Sequence, residues 1–118
     1  MTPPILAAVD DMFFAAKIRA TAEALDVRIR FFRRLEDLLA AATEETPRLI
    51  LVDLHNEKSD PMELARALKS HENLRAIPLL GFFSHVQTDL QRAAIAAGYD
   101  KVIPRSVFAT DLAELIAN

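Results

Sequence analysis

The sequence predicts an α/β fold in which a five-stranded parallel sheet carries helices on both faces. Five short apolar runs alternate with five stretches of helical periodicity along the chain. Most of the apolar runs are continuous, which is typical of strands buried on both faces of a parallel sheet. The connections are short, and 118 residues with 52% hydrophobic content fit one compact domain. We therefore expect a single domain over residues 1–118, without an output domain.

The first two predicted strands differ in the faces that they expose. Residues 5–9 form a continuous apolar run closed by two aspartates, which indicates a strand buried on both faces. Residues 27–31 alternate apolar and basic side chains, the pattern of a strand with one exposed face. Between them, residues 12–25 place apolar side chains at helical spacing. We expect the second strand to lie at an edge of the sheet.

The middle of the chain repeats this alternation of helix and strand. Apolar residues at helical spacing predict a second helix over residues 35–42, and Pro47 ends it because a residue before proline avoids the α region. Residues 49–52 predict a third buried strand, which stops at Asp53. The third helix runs from Pro61 to about Lys69, with Asp60 as its cap.

A fourth strand and a fourth helix follow. Residues 77–82 predict the strand, with a proline near its start, where no ladder hydrogen bond is lost. Ser84 and Gln87 stand at the spacing of a capping box before a helix over residues 87–97. Gly98 is placed to end that helix in the left-handed conformation.

The last elements complete the alternation. Residues 101–103 predict a short fifth strand, and Leu112, Leu115 and Ile116 mark a last helix. Short connections between alternating strands and helices imply right-handed crossovers and a parallel sheet.

Composition excludes several classes of function. The chain has no cysteine, which excludes disulfides, thiolate zinc sites and cysteine nucleophiles. Its net charge of −3 argues against nucleic acid as a partner, because Lys and Arg supply most of the affinity for phosphate backbones. The N-terminal apolar run is too short for a signal peptide or a membrane span. We expect a cytoplasmic protein that does not bind membranes.

Aspartates follow the first and third predicted strands. Asp10 and Asp11 end the first strand, and Asp53 ends the third. In the flavodoxin-like strand order 2-1-3-4-5 these strands are neighbours, so the three carboxylates are expected to meet at the carboxyl edge of the sheet. Such a cluster is unfavourable unless carboxylates take up protons or a cation neutralises them, and an all-oxygen site suits Mg²⁺.

Over essentially its whole length the chain resembles response-regulator receiver domains of the CheY-like family. Residues 8–11 (AVDD) are similar to the acidic pair of the family's first strand, and residues 51–54 (LVDL) to the strand that carries its phospho-accepting aspartate. Residues 59–64 (SDPMEL) resemble the loop that enters the third helix. Residues 76–80 (AIPLL) and 96–100 (AAGYD) resemble the start of the fourth strand and the turn before the fifth.

The resemblance implies roles for four residues. Asp53 would attack a phosphoryl donor as the nucleophile, and Asp10 and Asp11 would hold Mg²⁺. The backbone carbonyl of His55 would be a further metal ligand, beside Asp53 itself. A carboxylate that attacks phosphorus while a metal neutralises the transferred group is coherent chemistry.

The sequence departs from the family pattern at three supporting positions. Phe83 stands where receivers have a hydroxyl that contacts the phosphoryl group, although neighbouring Ser84 is a candidate substitute. Arg105 stands where they have a lysine, which keeps the charge but changes its geometry. Val102 occupies the place of an aromatic that reports phosphorylation. We interpret the chain as a pseudo-receiver.

Each of these features also has a purely structural interpretation. Asp10 and Asp11 could serve as caps of the first helix, and Asp53 could be ion-paired to Arg105. Asp60 is better interpreted as a cap than as a ligand. The aromatic pair at 82–83 could be core packing or a docking surface, and packing is the better interpretation.

Basic and histidine residues receive structural interpretations as well. The arginines around the second strand could guard a sheet edge against pairing or bind nucleic acid, and the former fits the net charge. The three histidines lack metal-ligand spacing and are interpreted as surface residues; they are His55, His71 and His85.

Three functional hypotheses remain open. The first is a protein-interaction module that binds a partner, such as a histidine kinase or a downstream signalling protein, through its last helices and fifth strand. The second is a phospho-acceptor that exchanges phosphoryl groups with a histidine kinase through Asp53. A small-molecule enzyme is the weakest, because the chain has no glycine-rich phosphate loop and no catalytic triad. Apolar residues on the last helix could also support a homodimer.

Overall fold

Five strands and six helical segments make up the part of the chain that the computed structural model describes, residues 2–56, 59–84 and 88–117. In chain order they are β1 (Ile5–Ala8), α1 (Met12–Ala24), β2 (Ile29–Phe31), α2 (Leu35–Glu44), β3 (Leu49–Asp53), α3 (Pro61–Ser70), β4 (Leu79–Phe83), α4 (Thr88–Ala97), β5 (Lys101–Pro104), α5 (Arg105–Thr110) and α6 (Leu112–Ile116).

All strand pairs are parallel, and the strands lie in the order β2-β1-β3-β4-β5. This confirms the predicted flavodoxin-like α/β fold and the edge position of β2. In the register of the central pairs, Ala8 lies beside Val52 and Asp53 beside Phe82. The carboxyl ends of β1 and β3 are therefore adjacent.

The sheet separates two hydrophobic layers. Successive residues of a strand point to opposite faces, so Ile50 and Val52 pack into one layer while Leu49 and Leu51 pack into the other. The first layer includes α2, α3 and α4 residues, and the second is formed with α1, α5 and α6. Helices thus cover both faces, as the continuous apolar strands predict.

Several boundaries differ from the sequence prediction. β4 begins at Leu79, not at Ile77, and Pro78 precedes the strand while its carbonyl accepts a hydrogen bond from the Ile50 N–H. The predicted last helix corresponds to α6, and a further short helix that was not predicted, α5, precedes it and meets it at Asp111. β1 ends one residue earlier than predicted, and β5 extends to Pro104.

Polar caps and positive-φ residues fix the ends of the helices. The Phe14 N–H donates to Asp11 Oδ1 over 3.0 Å at the start of α1, and the Glu63 N–H donates to Asp60 Oδ1 over 3.4 Å at the start of α3. Gly98 follows α4 with φ of +124°, a left-handed value beyond the usual αL range. Gln87, the predicted partner of Ser84 in a capping box, lies outside the described residues.

Within the described residues, none of the helices combines the length and the apolar character that crossing a membrane requires.

Candidate acidic site at the carboxyl end of the sheet

The structure brings the three predicted carboxylates to one open cleft. Asp10 and Asp11 follow β1 directly, and Asp53 is the last residue of the adjacent strand β3. The cleft has a volume of about 630 Å³ and is lined by these aspartates together with Met12, Phe13, His55 and Asn56. It opens where the topology of a doubly wound sheet places functional groups.

Both carboxylate oxygens of Asp11 are engaged. Its Oδ1 accepts the Phe14 N–H over 3.0 Å, and its Oδ2 accepts from the Arg105 guanidinium over 2.7 Å. The Phe14 backbone N–H and, after it, Arg105 lower the pKa of Asp11 below its ordinary value of 3.8. Asp11 is therefore held as a carboxylate by both a helix cap and an ion pair.

Arg105 contacts Asp11 rather than Asp53, so the predicted ion pair between Asp53 and Arg105 is wrong. The guanidinium also lies over the Phe14 ring, 4.2 Å from its centroid. Arg105 begins α5 and Phe14 lies in the first turn of α1, so packing of these helices brings the arginine to the α1 terminus. The Asp11 side chain is 37% exposed at that terminus, within reach of the Arg105 guanidinium, whereas Asp53 is only 8% exposed.

Asp53 lies at the buried end of the cleft. The His55 N–H donates to its Oδ1 over 2.9 Å, which ties the carboxylate to the turn that follows β3. The His55 side chain itself is exposed. The roles of Asp53 as phospho-acceptor and of the His55 carbonyl as metal ligand remain predictions.

Asp10 stands at the exposed rim of the cleft. Arg33 Nε lies 3.9 Å from its Oδ1, and the Arg33 side chain is 82% exposed. A pair at this distance and exposure is strongly screened by water. The ion pair of Asp10 with Arg33 is therefore weaker than the ion pair of Asp11 with Arg105.

The donor types at the cleft suit Mg²⁺, but their arrangement does not fit the ion. Carboxylate oxygens are the ligands that Mg²⁺ prefers. Among the described residues, however, no three acidic or histidine side chains are grouped closely enough to hold a metal ion. Arg105 already binds Asp11 Oδ2, and the Phe14 N–H binds Asp11 Oδ1. The predicted Mg²⁺ ligands Asp10, Asp11 and Asp53 therefore share a cleft without forming a metal cage.

The residues at the end of β4 supply packing. Phe83, the last residue of the strand, is 2% exposed and lies in the layer with Val52 and Tyr99. Phe82 points to the other layer, where it stacks on Phe108 with ring centroids 4.5 Å apart. The interpretation of this aromatic pair as core is confirmed. Ser84 follows the strand and is exposed, and Val102 is half-buried.

Sequence reasoning missed two residues at this site. Asn56 lines the cleft and is 6% exposed, and its Nδ2 is buried without a hydrogen-bond partner among the residues that the structure describes. Phe14 carries the Arg105 guanidinium on its ring and packs against Phe82 at 5.1 Å. The helical spacing of Phe14 indicated a core residue, and nothing in the local pattern indicated its contact with Arg105.

The basic residues near the edge strand are engaged with the protein itself. Arg28 makes two hydrogen bonds to the Glu45 carboxylate, at 2.9 and 3.0 Å. Arg19 lies over the Phe31 ring and Arg30 over the Phe32 ring. These contacts favour the interpretation of a charged sheet edge. His55 and His71 are exposed as predicted, and His85 lies outside the described residues.

Comparisons with known proteins agree on the fold. No protein-family profile and no curated protein matches the sequence. Solved structures do match it, and a response regulator from Hahella chejuensis superposes with a TM-score of 0.83 at 20% identity, over 98% of this chain and 89% of the other.

Two further structures give the same result. A CheY-like receiver domain protein from Methanospirillum hungatei superposes with a TM-score of 0.80 at 21% identity, over 98% of this chain and 91% of its own. The phosphorylated cyanobacterial phytochrome response regulator RcpA superposes with a TM-score of 0.80 at 19% identity, over 98% of this chain and 89% of the RcpA chain. Together with the strand order, these likenesses show that the chain has the fold of CheY-like response-regulator receiver domains.

Proposed function

We propose that the chain is a receiver-like signalling module of the two-component type, which acts in the cytoplasm by binding a protein partner and not through the usual phosphorylation switch. One observation carries this proposal. Arg105, which stands at the family's lysine position, binds the Asp11 carboxylate and lies over the Phe14 ring, and it does not bind Asp53.

The surroundings of Asp53 support an atypical acceptor site. A phosphoryl group brings close to two negative charges and needs donors around it. Near Asp53 the His55 N–H is already bonded to its carboxylate, and Asp10 and Asp11 add negative charge. Phe83 offers no donor at the end of β4, because its ring is buried in the core. A phosphoryl group on Asp53 would therefore meet fewer donors than a complete receiver site provides.

The surface of α4, β5 and α5 supports a protein partner. Ile95 on α4 is 53% exposed and Val107 on α5 is 42% exposed, although both are large aliphatic side chains. Exposed apolar side chains on neighbouring elements are a feature of protein-binding surfaces. The candidate partners are a histidine kinase, a downstream signalling protein or a second copy of the chain.

Incubation with Mg²⁺ and acetyl phosphate, followed by intact mass measurement, tests the acceptor site. We expect no mass gain that depends on Asp53, with Asp53→Asn as the matched control. Beryllofluoride, followed by amide NMR, should likewise leave the resonances near Asp53 unchanged. A mass gain that is lost in Asp53→Asn, together with a conformational change, would contradict the proposal.

Substitution of the exposed aliphatic residues tests the partner surface. The double variant Ile95→Glu, Val107→Glu should lose a partner that co-purifies with the wild type from its source cells, because charges disrupt an apolar contact. Leu25→Glu is the matched control, since Leu25 is 40% exposed and follows α1, outside α4, β5 and α5. Retention of the same partner by the double variant, or its loss in the control, would count against this surface.

The alternative is a phospho-accepting response regulator, and the position of Asp53 favours it. The residue ends β3 at the base of the cleft, where a carboxylate oxygen can reach a donor. It would attack the phosphorus of a phosphohistidine, the P–N bond would break, and the imidazole nitrogen would take a proton. The Asp53-dependent mass gain described above is the result that this alternative predicts.

A further inference from the structure

We infer that Arg105 is the resident cation of the acidic cleft and keeps divalent metal ions from binding at Asp10 and Asp11. The inference concerns the same site as the proposed function. The inference and the proposed function both use the contact of Arg105 with Asp11. The inference is tested by metal affinity, whereas the proposed function is tested by phosphorylation and partner binding, so the failure of one can be distinguished from the failure of the other.

Arginines of the same chain approach two of the three aspartates at the cleft. Three aspartates line it, and two arginines approach the pair that follows β1. Arg105 lies 2.7 Å from Asp11, and Arg33 lies 3.9 Å from Asp10. Arg105 makes the stronger ion pair, since its side chain is 30% exposed and that of Arg33 is 82% exposed.

The position of Arg105 leaves no favourable place for a second cation on Asp11. The Phe14 N–H holds Oδ1 and the guanidinium holds Oδ2. Mg²⁺ binds carboxylate oxygens at about 2.0–2.1 Å, so an ion on Oδ2 would lie within roughly 5 Å of a guanidinium nitrogen. The two positive charges repel each other at that distance, most strongly where water is partly excluded.

Arg105 is also held by contacts other than the ion pair. Its guanidinium lies 4.2 Å from the centroid of the Phe14 ring. That ring packs on Phe82 and Phe108, with centroids 5.1 and 5.6 Å away. A planar guanidinium suits both the ring face and the carboxylate, whereas an ammonium would match neither as well. Arg105 therefore cannot leave Asp11 without losing a second contact.

Titration with MgCl₂ tests this inference, with calorimetry and amide NMR of Asp10, Asp11 and Asp53 as readouts at constant ionic strength. Arg105→Ala should bind Mg²⁺ at least tenfold more tightly than the wild type, because the competing charge is gone. Its melting temperature should also rise with Mg²⁺ more than that of the wild type does. If Arg105→Ala does not fold, Arg105→Gln provides the same comparison with a longer polar side chain.

Two further variants control the experiment. Arg92→Ala removes an exposed arginine on α4, away from the cleft, and should bind Mg²⁺ as the wild type does. Arg105→Ala combined with Asp11→Ala should lose the gained affinity, because the released carboxylate is gone. An increase of less than tenfold in Arg105→Ala, or an equal increase in Arg92→Ala, would overturn the inference. Neither result depends on whether Asp53 accepts a phosphoryl group.

Discussion

A single carboxylate, that of Asp11, joins the start of α1 to the start of α5. One of its oxygens caps α1 through the Phe14 N–H, and the other binds the Arg105 guanidinium. The capping interpretation of this residue is therefore confirmed, while its role as a metal ligand stays a prediction. At the scale of one residue, the same negative charge stabilises a helix end and holds the Arg105 guanidinium.

Asp11 should make the free energy of unfolding depend on pH in the acidic range. Its pKa in the folded state is lowered, so its contribution is complete above the unfolded-state pKa and is lost as pH falls through the folded-state pKa. Between about pH 5 and about pH 3, the free energy of unfolding should fall more steeply in the wild type than in Asp11→Asn. Urea denaturation at several pH values measures this difference.

The effect of salt on this pH dependence offers a second check of the role of Asp11. Asp11 is 37% exposed, so added salt should screen its ion pair and reduce the difference between wild type and Asp11→Asn. Asparagine can still cap a helix, which isolates the effect of the charge. If the free energies of unfolding of the two proteins change in parallel with pH, the partners of Asp11 do not lower its pKa.

At the scale of elements, Gly98 sets the turn between α4 and β5. Its φ of +124° lies in a region that side-chain-bearing residues rarely adopt. A Cβ at this position would also lie 2.5 Å from Lys69 Cγ. Lys69 in turn pairs with Asp100 over 3.2 Å, next to the start of β5. The glycine therefore permits both the turn and the contact of α3 with it.

Gly98→Ala should lower the free energy of unfolding by about 1–3 kcal/mol, because the backbone is strained and Lys69 must move. Chemical denaturation measures the change. Ala96→Ser, an exposed substitution on α4, is the control and should stay within about 0.5 kcal/mol of the wild type. An alanine variant as stable as the wild type would mean that the turn can adopt another conformation.

At the scale of the whole molecule, three phenylalanine rings connect the acidic cleft to the core. Phe14 of α1, Phe82 of β4 and Phe108 of α5 contact one another in the same layer. Arg105 lies on the outer face of Phe14, so the charged site rests directly on this cluster. Changes in the cluster should therefore affect both stability and the position of Arg105.

Phe14→Ala should cost about 3–5 kcal/mol of unfolding free energy, because it leaves a cavity in the aromatic cluster. Its neighbour provides a matched control, since Phe13 is 92% exposed whereas Phe14 is 8% exposed. Phe13→Ala should change stability by no more than about 0.5 kcal/mol. Urea denaturation followed by circular dichroism measures both, and similar losses would mean that these neighbours do not differ in burial.

Local patterns were sufficient to predict the α/β fold class and the edge position of β2, and the expected strand order placed Asp10, Asp11 and Asp53 at one edge of the sheet. These features can be predicted because apolar periodicity and strand-end residues are read within short windows. The sequence also placed the caps at Asp11 and Asp60 correctly. The short helix α5 was not predicted, since its six residues are too few to show a helical period.

The carboxylate that Arg105 binds could be identified only from the packing of distant elements. Arg105 and Asp11 are 94 residues apart in the chain, and their contact depends on how α1 and α5 pack around Phe14. The burial of Asn56 beside Asp53 was decided in the same way. Such contacts depend on the relative placement of whole elements and on the competition between nearby charges, which no local pattern records.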